Sequence, residues 1–509
     1  MRQRERVRRL GILCVAAVFW TAGLRADEQE WFVPLGLPPK AAPRRISAGE
    51  GVPPLPLPAT PLRRSERKKE PAPPMLAGKV IWGEQASFTW NDGRTLEIAD
   101  WNLCPADLQQ LLAKSGAALG TAYRSEPVNL AGFTPDPALT PLLFFSGTRT
   151  LRLDRDRIAL LRAHVLAGGM IVCDNIAGSP YFYESARRLM SEALPELRWR
   201  TLPPDHPVYH VVADVEKVGY PKNMDSDRPL LEGLYVGCRV GVLLSKYGLG
   251  CGWDDHEVPN LPEAIYYDPP SAAKLGVNIV GYAVGYAAAA REESKPELFG
   301  GMDERPPTDE FVFAQIVHEG AWDAHPGAAS ALLRRLRQNT SLRVNLRRAA
   351  LTPGRDDLSQ ATFLYLTGLD DFSFDARALE ALRAFLGGPG TLVINNALGM
   401  SVFDRAVRRE LARLLPGEQL QRVPPGHPLF HSVFDIGDVR LTFVPDGAES
   451  ETAAPVLEGI VLGGDLRVIY SPYDMEMGWQ GCEHPAARGY EPVSAMQMGV
   501  NLAMYVMTH

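Results

Sequence analysis

Cysteine is scarce in this chain: six occur in 509 residues, and one of them, Cys14, sits in an N-terminal apolar run. The other five, Cys104, Cys173, Cys238, Cys251 and Cys482, are odd in number and irregularly spaced. That pattern excludes a disulfide framework as the main source of stability, although one bridge in an oxidising compartment stays open. A surplus of basic charge is lacking too. The net charge is −7, and the first 74 residues hold 14 Lys and Arg against 7 Asp and Glu, which leaves the remainder at −14. An acidic body of this kind argues against nucleic acid, whose binding rests on neutralising phosphates. Beyond the N-terminus no segment is long and apolar enough to span a bilayer. P-loop, dinucleotide-fingerprint, HExxH and Ser-His-Asp patterns are likewise missing.

What is present begins with MRQRERVRRLGILCVAAVFWTAGLRADEQE. Five arginines precede an apolar run from about Leu10 to Leu24, and Leu24-Arg25-Ala26 offers a cleavage site. Residues 1–26 are therefore expected to be a signal peptide, or else an uncleaved N-terminal anchor, which places the protein in the periplasm or cell envelope. Prolines interspersed with Arg63, Arg64, Lys68 and Lys69 follow, so residues 27–75 are expected to form an extended tether.

From there the chain repeats itself. PPDHPVYH (Pro203 to His210) returns as PPGHPLFH (Pro424 to His431), 221 positions later. At the same offset LLFFSG meets FLYLTG, Trp101 meets Trp322, and LRAHVLAGGMIVCDNIAG meets LRAFLGGPGTLVINNALG. After the octapeptide the offset becomes 226, where Leu231-Glu232-Gly233 meets Leu457-Glu458-Gly459 and Trp253 meets Trp479. It is 223 where LGVNI meets MGVNL. A period of this length is a whole domain. The expected division is a first repeat over 76–290, a linker over 291–308 and a second repeat over 309–509.

Each repeat reads as α/β. The short apolar runs ending in Gly suit parallel strands buried on both faces. Asp154 and Asp375 stand where helix N-caps belong, ahead of Ile158, Leu161 and Val165 in one copy and Leu379, Leu382 and Leu386 in the other. Strand and helix alternate further through MIVCDN and TLVINN, so two tandem doubly wound, flavodoxin-like parallel sheets are expected.

The octapeptide prolines make a stiff, non-helical corner. His206 and His210, like His427 and His431, are four apart, a spacing that suits metal ligation only on a helix. Their expected role is to tie backbone together through both ring nitrogens, with ligand binding as the other use. In doubly wound sheets ligands collect beyond the strand carboxyl ends, which points to Asp174, Asn175, Asn395 and Asn396 as binding candidates, with helix capping as their alternative. Cys173 faces Ile394 across the repeat and reads as an inward strand residue rather than a nucleophile. The loops near Trp253 and Trp479 pool Cys251, Asp254, Asp255, His256 and Glu257 with Cys482, Glu483 and His484, but at spacings that match no zinc motif. No metal, cofactor or catalytic residue is expected.

The second copy, from Phe311-Val312-Phe313-Ala314 through Trp322, Thr367-Gly368, Asn395-Asn396, Leu415-Pro416, His427-Pro428, Glu458-Gly459 and Gly499-Val500-Asn501, resembles the bacterial domain-of-unknown-function family 4159. The first copy is a more divergent relative, with its Asp174 closer to the usual acidic position, and together the two cover roughly 80–509. The resemblance implies a class I glutamine amidotransferase-like fold, in which catalysis takes an activated cysteine with His and Glu; that trio is not visible in this sequence, so no activity carries over. The functional expectation is a non-catalytic envelope protein that binds a protein partner or a small polar ligand. The alternative is a hydrolase-like enzyme acting on a polar, carbohydrate-derived substrate through Asp174 and His206.

Overall fold

Every residue of LLFFSG and of FLYLTG is buried, as strands covered on both faces must be. In this computed structural model the residues described are 27–32, 73–89, 93, 95–221, 224, 226–254, 263–294, 310–359, 361 and 363–509. The export segment expected over 1–26 and most of the two linkers lie outside them, as do Asp255, His256 and Glu257.

In chain order the first sheet consists of β1 (Met75–Val80), β2 (Arg124–Val128), β3 (Leu142–Gly147), β4 (Met170–Asn175), β5 (Trp199–Thr201), β6 (Leu231–Val236) and β7 (Arg239–Ser245). The second consists of β8 (Ala314–Ile316), β9 (Ala349–Leu351), β10 (Phe363–Gly368), β11 (Thr391–Asn396), β12 (Gln421–Arg422), β13 (Glu458–Leu462) and β14 (Asp465–Ser471). Their spatial orders, 2-1-3-4-7-6-5 and 9-8-10-11-14-13-12, are the same permutation. Register is shared as well. Ile171 pairs with Val242 and Leu392 with Val468, and both copies carry a bulge after equivalent residues, Leu234 and Ile460.

The expected pair of tandem α/β sheets is present, each of them mixed and largely parallel. Five strands run parallel in flavodoxin-like order; beyond them the two edge pairings of each sheet are antiparallel, so that β6 and β13 alone run against the rest. The cause is local: Gly237-Cys238 and Gly463-Gly464 leave two residues between consecutive strands, which permits only a hairpin, and Gly237 and Gly463 adopt φ of 61° and 64°.

Helices cover both faces. In the first copy α1 (Asp107–Leu119), α4 (Gly250–Trp253) and α5 (Pro269–Gly285) share one core, while α2 (Arg155–Leu166) and α3 (Pro180–Ala193) share the other. In the second copy α6 (Ala328–Asn339), α9 (Glu476–Gln480) and α10 (Pro492–Thr508) stand opposite α7 (Ala376–Gly387) and α8 (Ser401–Leu414). Asp154 and Asp375 do cap α2 and α7, accepting from Arg157 N at 2.9 Å and Ala378 N at 2.8 Å.

The repeated Gly-Val-Asn has a packing cause. A Cβ on Gly276 or Gly499 would stand 2.5 or 2.6 Å from the indole nitrogen of Trp253 or Trp479. Each indole instead donates to a helix carbonyl, Ala272 O or Ala495 O. The asparagine of the motif clamps the chain after the octapeptide. Asn278 Oδ1 accepts from Val212 N and Ala213 N while its Nδ2 donates to Ala213 O; Asn501 does the same with Val433, Phe434 and Phe434 O.

The copies pack head to tail. The first copy's hairpin places Tyr235 and Cys238 in the second copy's core beside Ala397 and Leu398. Arg200 pairs with Asp370 at 3.3 Å, and Asp205 accepts from Ser401 N at the start of α8. The equivalent hairpin of the second copy, Gly463-Gly464, is exposed. On the first copy, the surface equivalent to the docking face is taken by residues expected to be tether. Trp31 is buried among Ile176, Ala177 and Cys251, its carbonyl accepts from Thr148 Oγ1, and Glu28 accepts from Thr150 N. A large aromatic ring with an apolar seat holds these residues to the domain.

Candidate functional site

The octapeptide histidines bind backbone in both copies. His206 and His427 accept from the N–H two residues on, Val208 at 3.1 Å and Leu429 at 3.2 Å, and so cap the short turn that follows. His210 bridges Asp214 and the Pro204 carbonyl, while His431 bridges Asp435 and the Pro425 carbonyl. Burial drives the His206 imidazole down to about 3, so it is neutral. Its Nε2 is buried without a hydrogen-bond partner and faces a cavity of about 10 Å³, roughly one water, between the copies. His431 moves the other way, raised by its bonds to Asp435 and Pro425 O.

Asp174 lies at the end of β4 and caps α4, accepting from Leu249 N at 2.7 Å and Gly250 N at 2.8 Å. Burial raises it to about 7, against the pull of those N–H groups. Its neighbours are Asp107 and Lys79, which meet at 2.8 Å; Lys79 also donates to Asn102 Oδ1 and Cys104 O. Asn175 donates to Lys246 O and Asn396 to Pro472 O, both tying the strand end to the next connection. The structure therefore keeps Asp174 and His206 in separate settings, the first against α4 and the second among Pro203, Tyr235 and Tyr282.

Asn395 enters a dense polar cluster. It lies at the end of β11, and its Nδ2 stands 3.0 Å from Asp474 Oδ1 and 3.3 Å from both Glu476 Oε2 and Thr367 Oγ1. Its Oδ1 accepts from Met475 N, the counterpart of the bond between Leu249 and Asp174. Thr367 donates to Glu476 at 2.7 Å, and His325 Nε2 donates to Asp474 Oδ2 at 2.8 Å. Asp474 further accepts from Leu398 N and Glu476 N.

Burial pushes both carboxyls up, but their partners separate them. The His325 imidazole and the bonds from Leu398 N and Asn395 outweigh burial at Asp474 and hold it near 2. At Glu476 burial prevails, helped by the charge of Asp474, and the group rises to about 8 despite His325. One carboxylate and one carboxylic acid thus share a site that is at most 2% exposed. Two sets of side chains here have metal-ligand spacing: His325, Asp474 and Glu476, and Cys238, His325 and His484, each with its ligand atoms within 4.8 Å of one another.

His325, Asp474, Glu476, Thr367, Lys79, Asp107 and Cys238 escaped the sequence reading. One signal was available: at the repeat offsets His325 faces Cys104, Asp474 faces Gly248 and Glu476 faces Gly250, so acidic groups stand in one copy where the other has glycine.

The strand-to-helix turns hold Ala177 and Leu398 at φ of 59° and 55°, a conformation side chains other than glycine's rarely adopt. In hydrolases this strained elbow presents the nucleophile. Here it presents a methyl group and an isobutyl group, both buried.

The family model described as Domain of unknown function (DUF4159) matches the chain twice, over residues 94–284 and 312–507. No curated protein matches it.

Proposed function

The chain belongs to the DUF4159 family as a tandem pair of its modules, and from that premise we propose that it is an exported, non-catalytic binding or scaffold protein of the cell envelope. The modules, on this reading, are of the class I glutamine amidotransferase-like kind with the nucleophile position vacated. The observation that carries it is the elbow: in both copies the strained residue, Ala177 or Leu398, has no atom able to attack a substrate. Supporting it, the polar groups at the strand ends are spent on internal bonds, Asp174 on α4 and Asn395 on Met475. Its partner is a protein or a small polar ligand of the envelope, and its basic, arginine-rich N-terminus directs export.

A second reading, a hydrolase acting on a polar substrate, draws on a different observation from the one that suggested Asp174 and His206. Asp474 and Glu476 have opposed protonation states beside His325, the arrangement that acid–base catalysis uses. The test is a turnover screen of the purified full chain on ester, amide and glycoside substrates. The scaffold reading expects none above background. Turnover that disappears in Glu476→Gln while the melting temperature holds would overturn it in favour of the second.

A further inference from the structure

Cys238 is the one residue of the first copy's hairpin tip that reaches the second copy's polar cluster. Its Sγ is 3.6 Å from His484 Nδ1 and 4.0 Å from Nε2, and His484 packs edge-on against His325 with ring centroids 5.1 Å apart. We propose that Cys238, His325 and His484 bind one divalent transition-metal ion, zinc foremost, which fastens the two copies together. A thiolate with two imidazoles is a donor set that zinc selects over calcium or magnesium. Zinc–sulfur and zinc–nitrogen bonds of about 2.3 and about 2.0 Å at a tetrahedral angle put the two ligand atoms about 3.5 Å apart, close to the 3.6 Å between Cys238 Sγ and His484 Nδ1.

The surroundings fit as well. Asp474 accepts from His325 Nε2, which assigns Nδ1 to the ion and orients the ring as outer carboxylates do at zinc centres. Water supplies the fourth ligand of such a three-residue donor set. The ligands are 0, 1 and 3% exposed, so an ion would be resident rather than exchanged freely.

The site is single by construction. Gly464 replaces Cys238 in the second copy and Cys104 replaces His325 in the first, so neither module forms it alone. It stands whether the chain is a scaffold or an enzyme. The competing account is a plain thiol–imidazole contact, which holds no ion and gives no thiolate band with cobalt.

The test uses the full chain purified without a histidine tag and titrated with Zn²⁺ or Co²⁺. One equivalent per chain is expected, with a thiolate-to-cobalt charge-transfer band that vanishes in Cys238→Ser, and a loss of Zn²⁺ affinity of about tenfold or more in His484→Gln. Zinc-edge X-ray absorption on the wild type needs no variant to fold and must show one sulfur and at least two imidazole nitrogens. Binding below about a tenth of an equivalent, a cobalt spectrum without the thiolate band, or a first shell lacking sulfur would each overturn the proposal.

Discussion

The Sγ atoms of Cys104 and Cys251 lie 2.7 Å apart inside the first copy, at the position where the second copy has His325 and Met477. The two thiols are 147 residues apart in sequence and both are buried. Closing a disulfide needs a contraction to about 2.05 Å, with loss of two protons and two electrons to a disulfide oxidant such as oxidised glutathione. Oxidation under that reagent is expected to lower the intact mass by two hydrogens and stabilise the fold by about 3–5 kcal/mol. Two thiols that both alkylate after oxidation and unfolding would contradict it.

The octapeptide histidines are expected to differ in their response to pH. His206 is depressed from about 6.5 to about 3, so the unfolded chain binds more protons between those values; its contribution is present above about 6.5 and fades as pH falls. His431 is raised, so its contribution is present below the unfolded value and fades as pH rises through the folded one. Urea titrations across pH should show His206→Gln flattening the acid side and His431→Gln the neutral-to-alkaline side. Identical profiles for the two variants would contradict the bonding described.

Within the acidic cluster the two carboxyls call for opposite substitutions. Glu476 rises to about 8, so the folded state binds more protons between about 4.5 and 8 and stability drops as pH climbs through that window. Glu476→Gln, a mimic of the protonated acid, should remove the slope at little cost. Asp474 sits near 2, so its contribution is full above about 3.8 and lost on acidification. Asp474→Asn strips the partner of His325 and should cost about 3–5 kcal/mol. A cheaper Asp474→Asn than Glu476→Gln at pH 7 would refute this assignment.

Asn278 and Asn501 should rank among the costliest surface-remote asparagines. Each amide satisfies two backbone N–H groups and one carbonyl. Replacement by alanine leaves those groups unpaired and should cost about 2–4 kcal/mol in denaturant unfolding, similar in both copies. A loss under about 0.5 kcal/mol in either would show that the clamp is dispensable.

Trp31→Ala should destabilise the first copy by about 3–5 kcal/mol, the range for a large buried aromatic. The loss should come with faster alkylation of Cys104 and Cys251, which the indole covers. An unchanged melting temperature would mean that residues 28–32 are not part of the folded unit.

Much of this architecture could be read from residue order, because the features concerned are local or repeated at a constant offset. Asp154 and Asp375 announce their helices through neighbours three residues away, and the shared permutation of the sheets follows from matches at 221 and 226. The antiparallel pairings follow from Gly237-Cys238, a two-residue turn that the alternation of strand and helix does not announce. The polar cluster was hidden for a different reason. His325 lies 149 residues from Asp474, and Cys238 lies 246 from His484, so no spacing motif can join them. Asp174 is legible as an acid near a strand end, whereas its α4 cap depends on Gly250, 76 residues on.

A head-to-tail contact does not close on itself; repeated from molecule to molecule it builds a ring or a filament. Each copy offers a tip and a socket, and one pairing inside the chain leaves a spare of each. The spare tip is Gly463-Gly464, open to solvent. The spare socket is filled by Glu28 and Trp31 on the Thr148–Thr150 loop, the counterpart of the loop where Asp370 receives Arg200. The polypeptide thus supplies its own stopper, and assembly by this contact ends at two modules for as long as that indole stays seated.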